Sequence, residues 1–402
     1  MTEELPAIEG GAPVRSTFLP FGEPNISDAE VDEVVATLRS KWIGTGAKTM
    51  EFERQFASYV GADNAVAVSS CTAALHLSLL AVGCRQGTEV VLPSLTFAAT
   101  ANAVVHTGAE PVLCDVDRLT FNTTAEAIEP MLSARTRAIV VVHFGGQPCD
   151  LESIYALAAR HGVAVIEDCA HAVGAEYHGR PIGSFAGLSC FSFYANKNLT
   201  TAEGGMVTTP DADIAATLGV WRLHGLDRDA WKRFHSREVV LSSCVYPGFK
   251  YNLTDLAASL GLHQLRRLPD MLARREHFAG LLDRHVATLP GVTPQARARN
   301  RDEGRHGLHL YAVTINPDAF RADRNHLVAA LRAENIGAAI HYEPVHRQPY
   351  YMERLGVADE LLPSSSSIGS SIMTIPAQDS MTDADFDDVL EATGRVFSYY
   401  AR

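Results

Sequence analysis

Several absences narrow the function before any motif is read. The 402-residue chain has no uninterrupted apolar stretch near the roughly 20 residues of a membrane span. It has no basic run, and its formal charge of −13 argues against neutralising a nucleic-acid backbone. Its seven cysteines form no C-x-x-C pair, which excludes a zinc ribbon, and no metal ligand set is expected. Their odd number and apolar strand contexts predict reduced, buried thiols. The first residues, Met1-Thr2-Glu3-Glu4-Leu5-Pro6, lack the cationic and apolar regions of a secretion signal, so a cytoplasmic location is expected. No internal repeat is evident.

What is present describes a globular protein. A hydrophobic content of 47% with 20% charged residues supports a packed core, and the length predicts two domains. Residues 1–26 read as a Gly- and Pro-rich extended arm. Ser27-Asp28-Ala29-Glu30 is a capping box opening a helix with Val31, Val34, Val35 and Leu38 on one face. A second helix is expected over Thr49–Tyr59. Apolar runs at Ala65–Val68, Glu89–Leu92, Pro111–Cys114, Ala138–Val142, Val163–Glu167, Leu188–Phe193 and Met206–Thr208 then alternate mostly with helical patterns. That alternation predicts an α/β fold with a mostly parallel, doubly wound sheet.

A long helical pattern begins near Leu253, with Pro269 expected to kink or break it. Beyond it the order changes to a strand over His309–Ile315, a helix over Asn325–Glu334, a strand over Ala338–Tyr342 and a closing helix over Asp383–Tyr399. Ser364–Ser371 reads as an ordered serine-rich loop. The predicted division is an arm and large domain over 1–264 and a smaller α+β domain over 265–402.

Lys197 is the most informative residue. It lies in Ser192-Phe193-Tyr194-Ala195-Asn196-Lys197-Asn198-Leu199, ahead of Glu203-Gly204-Gly205, which reads as a tight turn into a strand. Asp168 closes the earlier apolar strand Val163–Asp168. A lysine in apolar surroundings has a depressed pKa, as Schiff-base chemistry requires. A carboxylate at the C-terminal edge of a parallel sheet lies where ligands bind. Together they suit pyridoxal 5′-phosphate (PLP), whose carbonyl takes the amine and whose ring nitrogen the acid keeps protonated.

Around that pair the weaker candidates gain meaning. Ser69-Ser70-Cys71-Thr72 opens a helix whose N–H groups and dipole suit a phosphate, with Ser70 and Thr72 adding hydroxyls. Plain helix capping is the competing account. Ser192 is a further donor. Phe97 could stack on the ring or serve as a core aromatic. His171 could touch the ring oxygen or the substrate, or be a satisfied structural histidine. His341 and His346 lie in a Gly- and Pro-punctuated stretch that could approach the site.

The runs Glu167–Ala172, Phe191–Asn198 and Ala202–Gly205, together with Val142–Asp150, Gly248–Leu253 and Gly337–His341, resemble the fold-type-I, DegT-type PLP-dependent nucleotide-sugar aminotransferases. The similarity runs from about Phe18 to the last helix. His171, Lys250-Tyr251-Asn252 and His224–Trp231 look closest to the UDP-4-amino-4-deoxy-L-arabinose aminotransferase branch. The resemblance implies that Lys197, Asp168 and His171 are catalytic, and that Ser70, Cys71, Thr72, Phe97 and Ser192 join them around PLP. It implies that Asn252 reaches the phosphate from the partner subunit of a homodimer. Cys71 stands where relatives have glycine or alanine, and its N–H can still serve. The implied reaction is ping-pong transfer of an amino group from L-glutamate to a nucleotide-linked ketosugar, a 4-keto pentose or 6-deoxyhexose. Two rivals share the fold: a sugar dehydratase, disfavoured because such relatives carry histidine where Lys197 stands, and a non-catalytic regulator, which retention of Lys197 and Asp168 disfavours. Specificity is expected from Trp42-Ile43-Gly44-Thr45, His224–Trp231 and His341-Tyr342.

Overall fold

A computed structural model describes residues 5–227, 242–297 and 303–402. Its centre is a seven-stranded sheet built from β1 (Asn64–Val68), β2 (Glu89–Pro93), β3 (Glu110–Cys114), β4 (Thr136–Val142), β5 (Ala164–Asp168), β8 (Leu188–Ser192) and β9 (Gly205–Thr209), in the order β1-β9-β8-β5-β4-β2-β3. Only β9 runs against its neighbours. β2, β4, β5 and β8 are buried almost throughout, so they read as continuous apolar runs without alternation. A ribbon of β6 (Glu176–Tyr177), β7 (Arg180–Pro181) and β11 (Gly304–Arg305) lies apart, and β10 (Val292–Pro294), β12 (Tyr311–Ile315) and β13 (Ile372–Ile375) form a third, antiparallel sheet.

Ser27 and Glu30 close the expected capping box of α1 (Asp28–Ser40). The second helix, α2 (Ala47–Val60), is tied to the start of the long helix Asp255–Val286 by one buried carboxylate. Asp255 accepts from the N–H groups of Gly46 (2.7 Å) and Thr49 (2.9 Å) and from the Thr49 hydroxyl (2.8 Å). Phe52 and Phe56 of α2 meet Phe193 and Phe191 edge to face at centroid separations of 5.2 and 5.0 Å. These rings lie beneath the segment that carries Lys197, and each contributes about 1.5–3 kcal/mol by burial.

Four expectations are corrected. The long helix runs unbroken through Pro269. Leu262, Leu265, Leu268 and Leu272 pack into the core around the central sheet, and Phe278, Leu282 and Val286 into a second core around β12 and β13. That packing on both sides outweighs the roughly 3 kcal/mol cost of a proline inside a helix. Ser364–Ser371 belongs to a helix, Pro363–Ser371, because the Asp115 carboxylate accepts the N–H groups of Ser364 (2.9 Å) and Ser365 (2.7 Å) at its first turn. Ala338–Tyr342 is no strand. The chain there divides its pairing between the N-terminal arm, through Leu19 and Ile336, and β13, through Ala339 and Thr374. Among the cysteines Cys244 is exposed, while the other six are buried.

The arm packs on the second core through Leu19 and Val14. Glu334, fully buried, anchors it by accepting the N–H groups of Ala7 (2.7 Å) and Val14 (2.8 Å). Among the described residues no helix is long and apolar enough to cross a membrane.

Candidate active site

The parallel strands deliver their C-terminal ends to one edge of the sheet. Asp168 ends β5, Ser192 ends β8, and the turn after β1 leads into α3 (Cys71–Ala81). Gly205 lets that turn approach: a Cβ there would lie 2.5 Å from the Ser70 carbonyl carbon, so backbone contact as much as the turn itself requires glycine.

Asp168 is buried and held by neutral donors. Its oxygens accept from Thr100 Oγ1 at 2.8 Å and from the Ala170 N–H at 3.1 Å, and the Cys71 thiol approaches to 3.8 Å. Burial raises its pKa, and the Thr100 hydrogen bond opposes the rise. No charged group hydrogen-bonds it among the described residues, and a protonated ring nitrogen would add a positive charge to that of Lys197.

Lys197 is partly accessible as a residue, and burial lowers its amine to about 8. The Asp168 carboxylate opposes that fall, so the amine and the acid lie within electrostatic reach of each other, while burial keeps the Cys71 thiol protonated. Lys197 Nζ lies 3.3 Å from Nε2 of His309.

His171 is buried, and desolvation holds it well below the usual imidazole range. The Gly145 N–H donates to its Nδ1 at 3.2 Å, so the ring proton sits on Nε2 and donates to the Tyr342 hydroxyl at 3.0 Å. Phe97 caps α4 (Ala98–His106) with its ring 59% exposed, 5.5 Å from that of Tyr342.

At the opposite end, the Ser70 oxygen accepts from the Ala73 N–H at 3.1 Å, so the capping account holds for its lone pair. Its O–H can still donate, and the N–H groups of Cys71 and Thr72 have no intrahelical partner, as at any helix start. Ser192 is buried and accepts weakly from the Tyr194 N–H at 3.4 Å. Asn252 pairs through its backbone with Val68, and its amide donates to Thr45 Oγ1 at 2.6 Å, so the Trp42–Thr45 loop meets it directly. Of the loop His224–Trp231, residues 228–231 lie outside the described residues.

The two remaining histidine candidates part company. His341 feels the charge of Lys197 and bonds Thr374 at 2.8 Å. His346 does not reach Lys197: it bonds Ser94 (2.6 Å) on one side and Asp359 (3.0 Å) and Ser366 (3.1 Å) on the other, bolting elements together. Sequence reasoning missed Thr100 and His309. Thr100 follows Phe97 by three residues, and asking what satisfies the Asp168 carboxylate would have found it; nothing in the local sequence signals His309.

A model of the DegT/DnrJ/EryC1/StrS aminotransferase family matches residues 24–393. The chain belongs to this family. It is 44% identical over 380 residues to the spore coat polysaccharide biosynthesis protein SpsC of Bacillus subtilis, covering 94% of this chain and 97% of SpsC. Spr1654 of Streptococcus pneumoniae, provisionally named a sugar aminotransferase, superposes in its PMP form with a TM-score of 0.88 at 31% identity, over 95% of this chain and 99% of its own. Its PLP form superposes at 0.87. Helicobacter pylori PseC, an aminotransferase in the biosynthesis of pseudoaminic acid, superposes at 0.87 with 26% identity, over 96% of this chain and all of PseC. The protein has the fold-type-I PLP aminotransferase fold, it is a member of a sugar aminotransferase family, and its cofactor is PLP. The buried Asp168 carboxylate, the depressed amine of Lys197 and the Ser70-capped helix start fit that cofactor.

Proposed function

We propose that the protein transfers an amino group from L-glutamate to the keto carbon of a nucleotide-linked sugar, with C4 the acceptor position. When bound, PLP supplies a carbonyl that takes amines and a protonated ring that draws electrons from the amino-bearing carbon. The observation that carries this reading is the depressed amine of Lys197 sharing a site with the buried Asp168 carboxylate. At pH 7 an amine near 8 is neutral in about one molecule in ten, against about one in three thousand at its ordinary value, so it can accept a proton.

In this assignment Lys197 moves the proton and Asp168 keeps the ring nitrogen protonated. His171, neutral and fixed as the Nε2–H tautomer, is held against the site by Gly145 and Tyr342. Ser70, Cys71, Thr72 and Ser192 hold the phosphate together with Asn252 from a second copy in a homodimer, and Phe97 covers the ring. Residues 265–402 act as the smaller domain, with the arm packed on it. The Lys250-Tyr251-Asn252 run supports the 4-ketopentose branch, while the names of SpsC and PseC favour other sugars.

The test is a panel of UDP- and dTDP-linked 3- and 4-ketosugars with glutamate, following 2-oxoglutarate release and product mass, with Lys197→Ala as control. Turnover of a 4-ketosugar, absent in the variant, is expected. Turnover retained by Lys197→Ala would overturn the residue assignment, and amination of non-nucleotide substrates alone would overturn the substrate class.

A further inference from the structure

His309 lies just before β12 and is 7% exposed, yet neither the phosphate cradle nor the Asp168 end uses it. Its ring lies 4.6 Å from that of His171, tilted by 37°. Its Nε2 faces Lys197 Nζ at 3.3 Å, while its Nδ1 is buried with no partner. Beside it is a cavity walled by Phe21, Gly22, Asn196, Arg275 and Gln378, with room for about one water. The Oδ1 of Asn196, also buried, has no partner either.

These facts fix the ring's protonation pattern. Lys197 brings N–H donors, so His309 Nε2 accepts and the ring proton belongs on Nδ1, pointing away from the amine. A water in the cavity would accept that proton's hydrogen bond and donate to Asn196 Oδ1, satisfying both orphaned atoms. Arg275 cannot accept: it donates to Asp379 at 2.8 Å and to the Leu308 carbonyl at 3.3 Å. Burial comes first, and the charged or titratable groups facing His309 are Lys197, His171, Arg275 (itself paired with Asp379) and His341, which together keep the imidazole neutral.

Resting on the assignment of Lys197 above, we propose that His309 is a positioning residue that holds the Lys197 amine through Nε2 whenever that amine carries no bond to another group, with one water between Nδ1 and Asn196 locking the ring's tautomer. An unbonded lysine amine on a flexible stem would otherwise sample many rotamers. An acceptor at a fixed point keeps it beside the reacting carbon, and it also stabilises the protonated form against burial. The Asp168 carboxylate acts on the same amine through its charge.

The test uses the holoenzyme in its pyridoxamine 5′-phosphate form, where Lys197 is free. Its acetylation by trace acetic anhydride is followed against pH by peptide mass spectrometry. Losing an acceptor from a charged donor should lower the Lys197 midpoint in His309→Phe by about 1 pH unit. It should also reduce kcat by about tenfold with little change in KM for glutamate. His309→Gln, whose amide oxygen reaches the Nε2 position, should restore both. Asn196→Leu, which fills the water site, should move the midpoint in the same direction and serves if His309→Phe does not fold. An unchanged midpoint in the folded variants overturns the proposal. If Lys197→Ala is inactive while His309→Phe labels and turns over normally, only this inference fails; if Lys197→Ala stays active, the underlying assignment fails.

Discussion

Replacing Lys197 by methionine should stabilise the cofactor-free protein at neutral pH. The amine is held at about 8 instead of 10.5 because folding removes it from water. At about 1.4 kcal/mol per pH unit, that difference is worth about 3 kcal/mol of destabilisation. The partial exposure of Lys197 makes this an upper value. Below pH 8 the amine is protonated in both folded and unfolded chains, so the penalty is complete. Between 8 and 10.5 the unfolded chain binds more protons than the folded one, so stability rises with pH. Above 10.5 the penalty is gone. Methionine has similar length and no charge, so Lys197→Met should exceed the wild type by up to about 3 kcal/mol at pH 7, and the gap should close towards pH 10.5. Equilibrium urea unfolding at several pH values measures it. A gap that does not change with pH would attribute the effect to packing, and a variant less stable at pH 7 would refute the buried-charge argument.

Thr100→Val removes the shortest donor to Asp168, and PLP affinity should fall about tenfold in an absorbance titration; an unchanged affinity would remove Thr100 from the site's support. Tyr342→Phe leaves the His171 Nε2–H without its partner and should lower kcat about 3- to 10-fold, read by steady-state kinetics. Asp255→Ala strands the N–H groups of Gly46 and Thr49 and should cost about 3 kcal/mol or more, seen as an earlier unfolding transition, with full stability refuting the assigned anchor.

The sequence by itself determined the alternation of buried strands and helices, because a strand covered on both faces must be apolar throughout and a helix must show its period. It also marked Lys197 and Asp168, since ionisable groups in apolar runs are costly without a purpose. Tertiary structure decided what local pattern could not carry. Pro269 stays helical because two cores grip its flanks, and Pro363–Ser371 coils because Asp115, far away in the chain, caps it. His341 and His346, five residues apart, took different roles because one turns to Thr374 beside the site and the other to Ser94. Thr100 and His309 reach Asp168 and Lys197 across 68 and 112 residues of sequence. Such partners are chosen by which strand ends and loops converge on one edge of the sheet, and that convergence exists only once the chain has folded.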